Sequence, residues 1–513
     1  MTTSSDENPS SPDDTTATPR KGGTFRIGLA KLTSLDPSQA RTVEQSQVAD
    51  LLFDSLTTYD PKTLEAVPSL AERWEASPDQ KTWTFHLRPG ATFANGRAIS
   101  AADVKYSLER VVKKGSGANS ADLLENVTGY FALAVEGSTE DLSGVGAPAA
   151  DVVTFALDSP QSLLPSVLAN PGFGVVPREE LARPEGQPTF AEQPTASGPF
   201  KYARAANGVV TLARRAEAEA FVDKVELVQF DDVAGAYSAF GKGEVDWSRV
   251  PPDDVGDAAG KYGRKHYTAY LAELFFGFNL KSPAFANQKF RAAVIAAVDR
   301  AAIVEAVYDS TVTKLEGIVV PSLRQDREDL CAGACKYDPS RAKQLLTEAF
   351  GEGAPPDVNI DYDQDTTYDA VAKAIQANLR AVGIPATLRP RGLAEYRDFV
   401  VSGNQQLFRF GWIAPYPSPD GFLYPLFFSG SRSNLVGLTS AAVDDQLRAA
   451  RASADPAART AAWVAAERAI LAETPVLPLA QFQIHAVAGT RVRGLNTLPT
   501  GTFDTTKVWL TGS

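Results

Sequence analysis

From about residue 225 onward, two hydrophobic periods alternate along the chain. Runs such as KVELVQF, LFFGFNL and DVNIDYD are continuous or every-second-residue apolar stretches. Each is followed by a segment with apolar residues three and four apart. The first pattern suits an extended strand and the second one face of a helix. A chain that writes strand and helix in turn is predicted to be α/β, a sheet layered with helices. Asp338-Pro339 caps a helix that turns Ala342, Leu345, Leu346 and Ala349 inward. Val371, Ile375, Leu379 and Val382 stripe another, stopped by Gly383. One long helix is expected over about 287–308, and two more over about 440–450 and 456–473, before the strands VLPLAQF and IHAVAG. No internal repeat interrupts this alternation.

The first half carries the same signals more sparsely. GGTFRIGLA reads as a strand, and Val48, Leu51, Leu52 and Leu56 mark the helix that follows. TWTFHLRPG alternates Trp83, Phe85 and Leu87 and closes on Pro89-Gly90. Ser100 and Asp103 form a capping box for a helix bearing Val104, Leu108 and Val111. Residues 115–200, rich in Gly, Pro, Ala and Ser, read as a looser subdomain. At 513 residues and about 150 per unit, roughly three units are expected.

Net charge is −12, without a dense basic run, which disfavours nucleic acid. No stretch of about 18 apolar residues exists to span a bilayer. Residues 1–20 hold 12 Ser, Thr or Pro and four acids, the composition of a solvated tether. Met1 directly before it, with no signal peptide, suggests a chain whose export signal has been removed, or a cytosolic start. Cys331 and Cys335 lie too far from His86, His266 and His485 in sequence to suggest a metal site. A small disulfide loop is the preferred reading, two free thiols the next.

Catalytic motifs are near misses. Gly235 to Gly243 mimics a phosphate loop with the wrong spacing and Gly243 where Ser or Thr should stand. Asp361, Asp363 and Asp365 mimic the start of a calcium loop, but Thr366 and Ala372 occupy its glycine and glutamate positions. No nucleophile elbow or zinc-protease motif is present. Neither a cofactor, a metal nor catalysis is therefore expected.

The segment FRFGWIAPYPSPDGFLYPLF, Phe408 to Phe427, is a different kind of signal. Pro415, Pro417, Pro419 and Pro425 argue against a helix interior and a central strand. Six aromatic residues follow Arg409, so the segment reads either as an aromatic core loop or as the wall of a binding site.

SLDPSQARTVEQSQVADLLFDSLTTYDP, the P-x-L-A-E-x-W block with T-F-x-L-R-x-G, and R-x-A-x-x-x-A-x-D-R at Arg291 to Arg300 stand in an order that resembles one family. It is the extracytoplasmic solute-binding proteins of ATP-driven importers, in the class of peptide, oligopeptide and nickel binders. The resemblance implies a two-lobed periplasmic-binding-protein-like fold of the large type II (cluster C) form, with an extra subdomain in the first lobe. Expected boundaries are a tether at 1–21, a first lobe at 22–262 plus 481–513 with the subdomain at about 57–194, and a second lobe at 263–480. It also implies a monomer that hands a peptide or peptide-like ligand to a membrane permease. Relatives in the same class bind oligosaccharides, metal chelates or haem instead. Lipid anchoring outside the membrane would suit the acidic tether. A ligand-sensing receptor without transport is the rival reading.

The resemblance also locates a site. Peptide-binding relatives carry R-x-G-W-x-A-D-Y-x-x-P, matched here by Arg409, Gly411, Trp412, Ala414, Tyr416 and Pro419. Pro415 stands where the aspartate that holds the peptide's ammonium should be, and Arg41 where relatives carry a glutamate. Both changes remove negative charge, which points to a ligand lacking a free ammonium or bearing an anion. Asp420 or another acid replacing the anchor is the alternative. Expected ligand contacts are Arg41 and Val43 from the first lobe, Arg409, Trp412 and Tyr416 from the second, and Trp247 beside the GEVD block.

Overall fold

The computed structural model describes residues 18–181, 187–309, 311–324, 330–331 and 333–512. Most of the expected tether, residues 1–17, lies outside the described residues. An eleven-stranded sheet is the backbone of the molecule, and its two ends belong to two lobes. In the first lobe Thr24–Ala30 pairs in parallel with Lys224–Phe230 from Thr24↔Lys224 to Ala30↔Phe230. Phe25, Ile27 and Leu29 are buried against Val48, Leu51 and Leu52 of the helix Val43–Leu52. In the second lobe Val358–Asp363 lies between Ala386–Arg391 and Leu407–Ile413, parallel to both. Its core includes Phe276, Phe278, Phe285 and Phe290, each 0% exposed, worth about 1.5–3 kcal/mol apiece.

Two long antiparallel strands, Tyr267–Phe278 and Val476–Ala488, join the lobes. Their register runs from Tyr267↔His485 to Ala269↔Gln483, then resumes at Glu273↔Gln481. Tyr270, Leu271 and Ala272 therefore oppose the single residue Phe482, a bulge that bends the joint. The displaced backbone is still satisfied. Gln481 Nε2 donates to the Tyr270 carbonyl, the Leu271 amide to Pro499 and the Ala414 amide to the Leu271 carbonyl.

Several expectations need correction. The stretch over 115–200 contributes to a well-formed unit: Ala71–Ala76, Thr82–Leu87, Val152–Ala156 and Val145–Ala149 make a four-stranded sheet. Trp83, Phe85 and Leu87 pack there with Val104, Leu108 and Val111 of Ala101–Val112. The helix over 287–308 is two, Gln288–Ala297 and Arg300–Tyr308. Asp299 starts the second by accepting from the Ala302 amide. Buried Arg300 fixes the corner by donating to the Leu315, Pro478 and Cys335 carbonyls. VLPLAQF and IHAVAG are one strand, because the joint runs unbroken through both lobes.

The aromatic segment is more regular than its prolines suggest. Leu407–Ile413 is a central strand, since every proline lies after it, and Asp420–Phe427 is a helix that contains Pro425. Pro425 has no N–H for the carbonyl four residues earlier, that of Gly421. Trp412 Nε1 donates to that carbonyl at 2.6 Å, so the vacated acceptor becomes the clamp that fixes the indole.

Candidate ligand-binding cleft

A cleft of about 1640 Å³ opens between the lobes, larger than the roughly 300–1,000 Å³ usual for small-molecule sites. The first-lobe wall is the start and the polar side of Val43–Leu52, with the chain's C-terminal segment. The second-lobe wall is the end of Leu407–Ile413 and the turn after it. Arg41, Val43, Trp412 and Tyr416 all line the cleft.

Their environments differ. Arg41 is exposed and donates to the Gly117 carbonyl at 2.7 Å. Val43 opens its helix behind the Thr42–Gln45 capping box. Trp412 is half-buried and stacks on Phe410 with 6.3 Å between ring centres. Ile413 beside it is 58% exposed, an apolar side chain presented to the cleft. Tyr416 is only 4% exposed and packs among the subdomain's apolar residues, its hydroxyl donating to Asp420 at 2.6 Å. That leaves little of its ring for stacking on a ligand.

Arg409 and Trp247 lie off the cleft lining. Arg409 Nε donates to Asp363 at 2.6 Å, and its guanidinium covers the Tyr368 ring at 4.2 Å. The calcium-like aspartates explain this placement. Asp361 accepts from Arg391 and the Gln406 amide, Asp363 from Arg409, and Asp365 caps Thr366–Ala381. Among the described residues no group of three or more His, Cys, Asp or Glu could hold a metal ion. Trp247 is 4% exposed, in the first-lobe core against Phe503. Cys331 and Cys335 are joined as a disulfide in the second lobe, far in sequence from either wall.

Asp420 does not replace the missing anchor. It is 0% exposed, holding Tyr416 and, at 3.1 Å to each oxygen, Arg451 Nε. Arg451 also covers the Tyr424 ring. Pro415 makes a lobe-to-lobe contact instead, its carbonyl accepting from Asn170 Nδ2 at 3.0 Å. Nearby, the Ser162 amide donates to the Arg451 carbonyl and Arg432 pairs with Asp122.

The acids of the opposite wall are not legible in the sequence. Glu44, Asp50 and Asp54 line the cleft. Glu44 pairs with Arg249 at 2.9 Å and Asp54 with Arg88 at 2.8 Å. Burial, reinforced by Asp504 and Asp54, pushes the Asp50 carboxyl up to about 7 despite a hydrogen bond with Thr502. Burial raises Asp54 to about 6 against the pull of Arg88 and Arg215. Asp50 falls on the polar side of an amphipathic helix, which in sequence reads as solvated. The signal emerges only when the C-terminal segment folds back: Gln47 exchanges hydrogen bonds with the Phe503 backbone, 456 residues away.

Residues 65–434 match the bacterial extracellular solute-binding proteins, family 5, and the chain belongs to that family. It is 27% identical over 92% of its length to the dipeptide-binding protein DppE of Bacillus subtilis (strain 168), covering 89% of that protein. The fold superposes on clavulanic acid biosynthesis oligopeptide binding protein 2 with a TM-score of 0.85 at 24% identity, over 96% of each chain. It superposes on the unliganded open form of the murein tripeptide-binding protein MppA at 0.81 and 22% identity, covering 96% of this chain and 98% of that one.

Proposed function

We propose that the chain captures a peptide or peptide-like, amphipathic solute outside the cytoplasm and delivers it to the membrane permease of an ATP-driven importer. The observation that carries this reading is the 1640 Å³ cleft lined from both lobes. A ligand touching both walls favours the state in which they approach, because only interactions that form on closure shift that equilibrium. The bulge at Tyr270–Ala272 supplies a bend where the joint can flex. Capture and release complete the task, and no bond is made or broken.

Arg41, Val43, Trp412 and Ile413 are the proposed contacts, with apolar ligand surface on the indole and the isoleucine. Arg409 and Tyr416 hold the second wall in shape. We take the lobe boundaries near 262, shortly before the joint strand Tyr267–Phe278, and near 480, within the joint strand Val476–Ala488, and a single chain as the working unit. The acidic first 21 residues have the composition of a tether holding the lobes away from a membrane. Thermal unfolding with a panel of di- to pentapeptides tests the reading. At about 100 times Kd a ligand adds about 2.7 kcal/mol, and a panel that shifts nothing would sink it.

A further inference from the structure

We propose that Asp50 seats the cationic end of the ligand, so that this cleft selects solutes bearing an ammonium or guanidinium group. The inference rests on the cleft being the solute site. It reverses the polarity that Pro415 and Arg41 suggest in sequence, by moving the anchor to the other wall.

Among the described residues Asp50 has no cation paired with it. It stands on the last turn of Val43–Leu52 and lines the cleft, set into the wall with only part of its surface open. The charged groups acting on it are Asp54 and Asp504, both of its own sign, and Thr502 provides a hydrogen bond. Tyr59, also on the cleft, feels Asp50 as a further negative neighbour. The arginines of this wall are engaged elsewhere: Arg88 with Asp54, Arg249 with Glu44 and Arg41 with the Gly117 carbonyl. Arg215 holds Glu217 and the carbonyls of Ser197, Gly198 and Thr92.

A buried carboxylate beside like charges opposes folding unless something compensates it. Perturbed groups of this kind gather at functional sites for that reason. The C-terminal end of the helix adds its negative dipole to the same place. The opposite wall supplies no competing acid, because Asp363 is bound to Arg409 and Asp420 to Arg451. An ammonium or guanidinium placed between the walls would thus meet at Asp50 a carboxyl set into the wall without a paired cation, whereas Glu125, Glu219 and Asp504, which also line the cleft, are exposed. Because burial lifts this carboxyl to about 7, a bound cation would also drive off its proton.

The test is calorimetric titration near pH 6 with alanine peptides of two to five residues, each with a free and an N-acetylated terminus. Two buffers of different ionisation heat report the proton count. Wild type should bind the free amine at least about 10-fold more tightly than the acetylated form and release about one proton per ligand. Asp50→Asn should weaken the free amine by about 10- to 100-fold, leave the acetylated peptide unchanged and abolish proton release. Equal binding of both forms to wild type, or free-amine affinity and proton release retained in Asp50→Asn, overturns the proposal. Wild type binding neither form of any peptide overturns the peptide reading of the cleft and this inference with it. Retained affinity of Asp50→Asn for the acetylated form shows that the variant is folded.

Discussion

The two walls of the cleft treat charge in opposite ways. On the second-lobe wall the arginines and aspartates behind the ligand space are closed into the protein: Arg409 on Asp363, and Arg451 on Asp420, which also takes the Tyr416 hydroxyl. Toward the cleft stand Trp412, Ile413 and a proline turn, flanked by the exposed Arg397 and by Arg432, which pairs with Asp122. On the first-lobe wall Glu44 and Asp54 have arginine partners, but the charges acting on Asp50 are all of its own sign. The difference separates two tasks. On the proposed reading the second wall gives shape and most of the apolar surface, with no acid in its lining, and the first gives the carboxyl that chooses a cation.

The largest effect should come from opening the closed charges of the second wall. Arg451→Ala leaves Asp420 buried without its cation and should cost about 3–5 kcal/mol, read by urea denaturation. An unchanged midpoint would mean that this wall is not braced by the pair. Arg409→Met should cost about 2–3 kcal/mol, since Asp363 is less enclosed. It should alter peptide affinity less than about threefold; a larger loss would make Arg409 a ligand contact after all.

On the first wall a substitution should stabilise. Folded Asp50 keeps its proton up to about 7, whereas the unfolded chain releases it near the ordinary value of 3.8. Between those values the native state binds the extra proton, so this residue's contribution to stability falls as pH rises and levels off above about 7. Asp50→Asn should therefore leave stability unchanged near pH 4 and raise it by about 1–3 kcal/mol at pH 8. Melting curves at both pH values check the sign. The smallest effect is Trp412→Phe, which leaves the Gly421 carbonyl without its donor and should cost about 1–2 kcal/mol, measured by the same denaturation.

How much is legible in sequence follows from how local the physics is. The cap at Asp338 and the Ser100–Asp103 box are readable because capping involves residues two or three positions apart. The break at Val298–Asp299 is not, because the force behind it, Arg300 reaching three distant carbonyls, is tertiary. The aromatic segment reads as a cleft wall and does reach the cleft at Trp412, while Arg409 is drawn away by an aspartate 46 residues earlier. Asp50 escapes a sequence reading for the same reason: its burial depends on residues 500–505 returning across the helix.

Closure of the lobes is tested most directly by small-angle scattering of the protein with and without a saturating peptide that raises its melting temperature. Both walls engaging the ligand predicts a smaller radius of gyration in the bound sample. A bound peptide with no change in that radius would contradict a ligand held between the lobes.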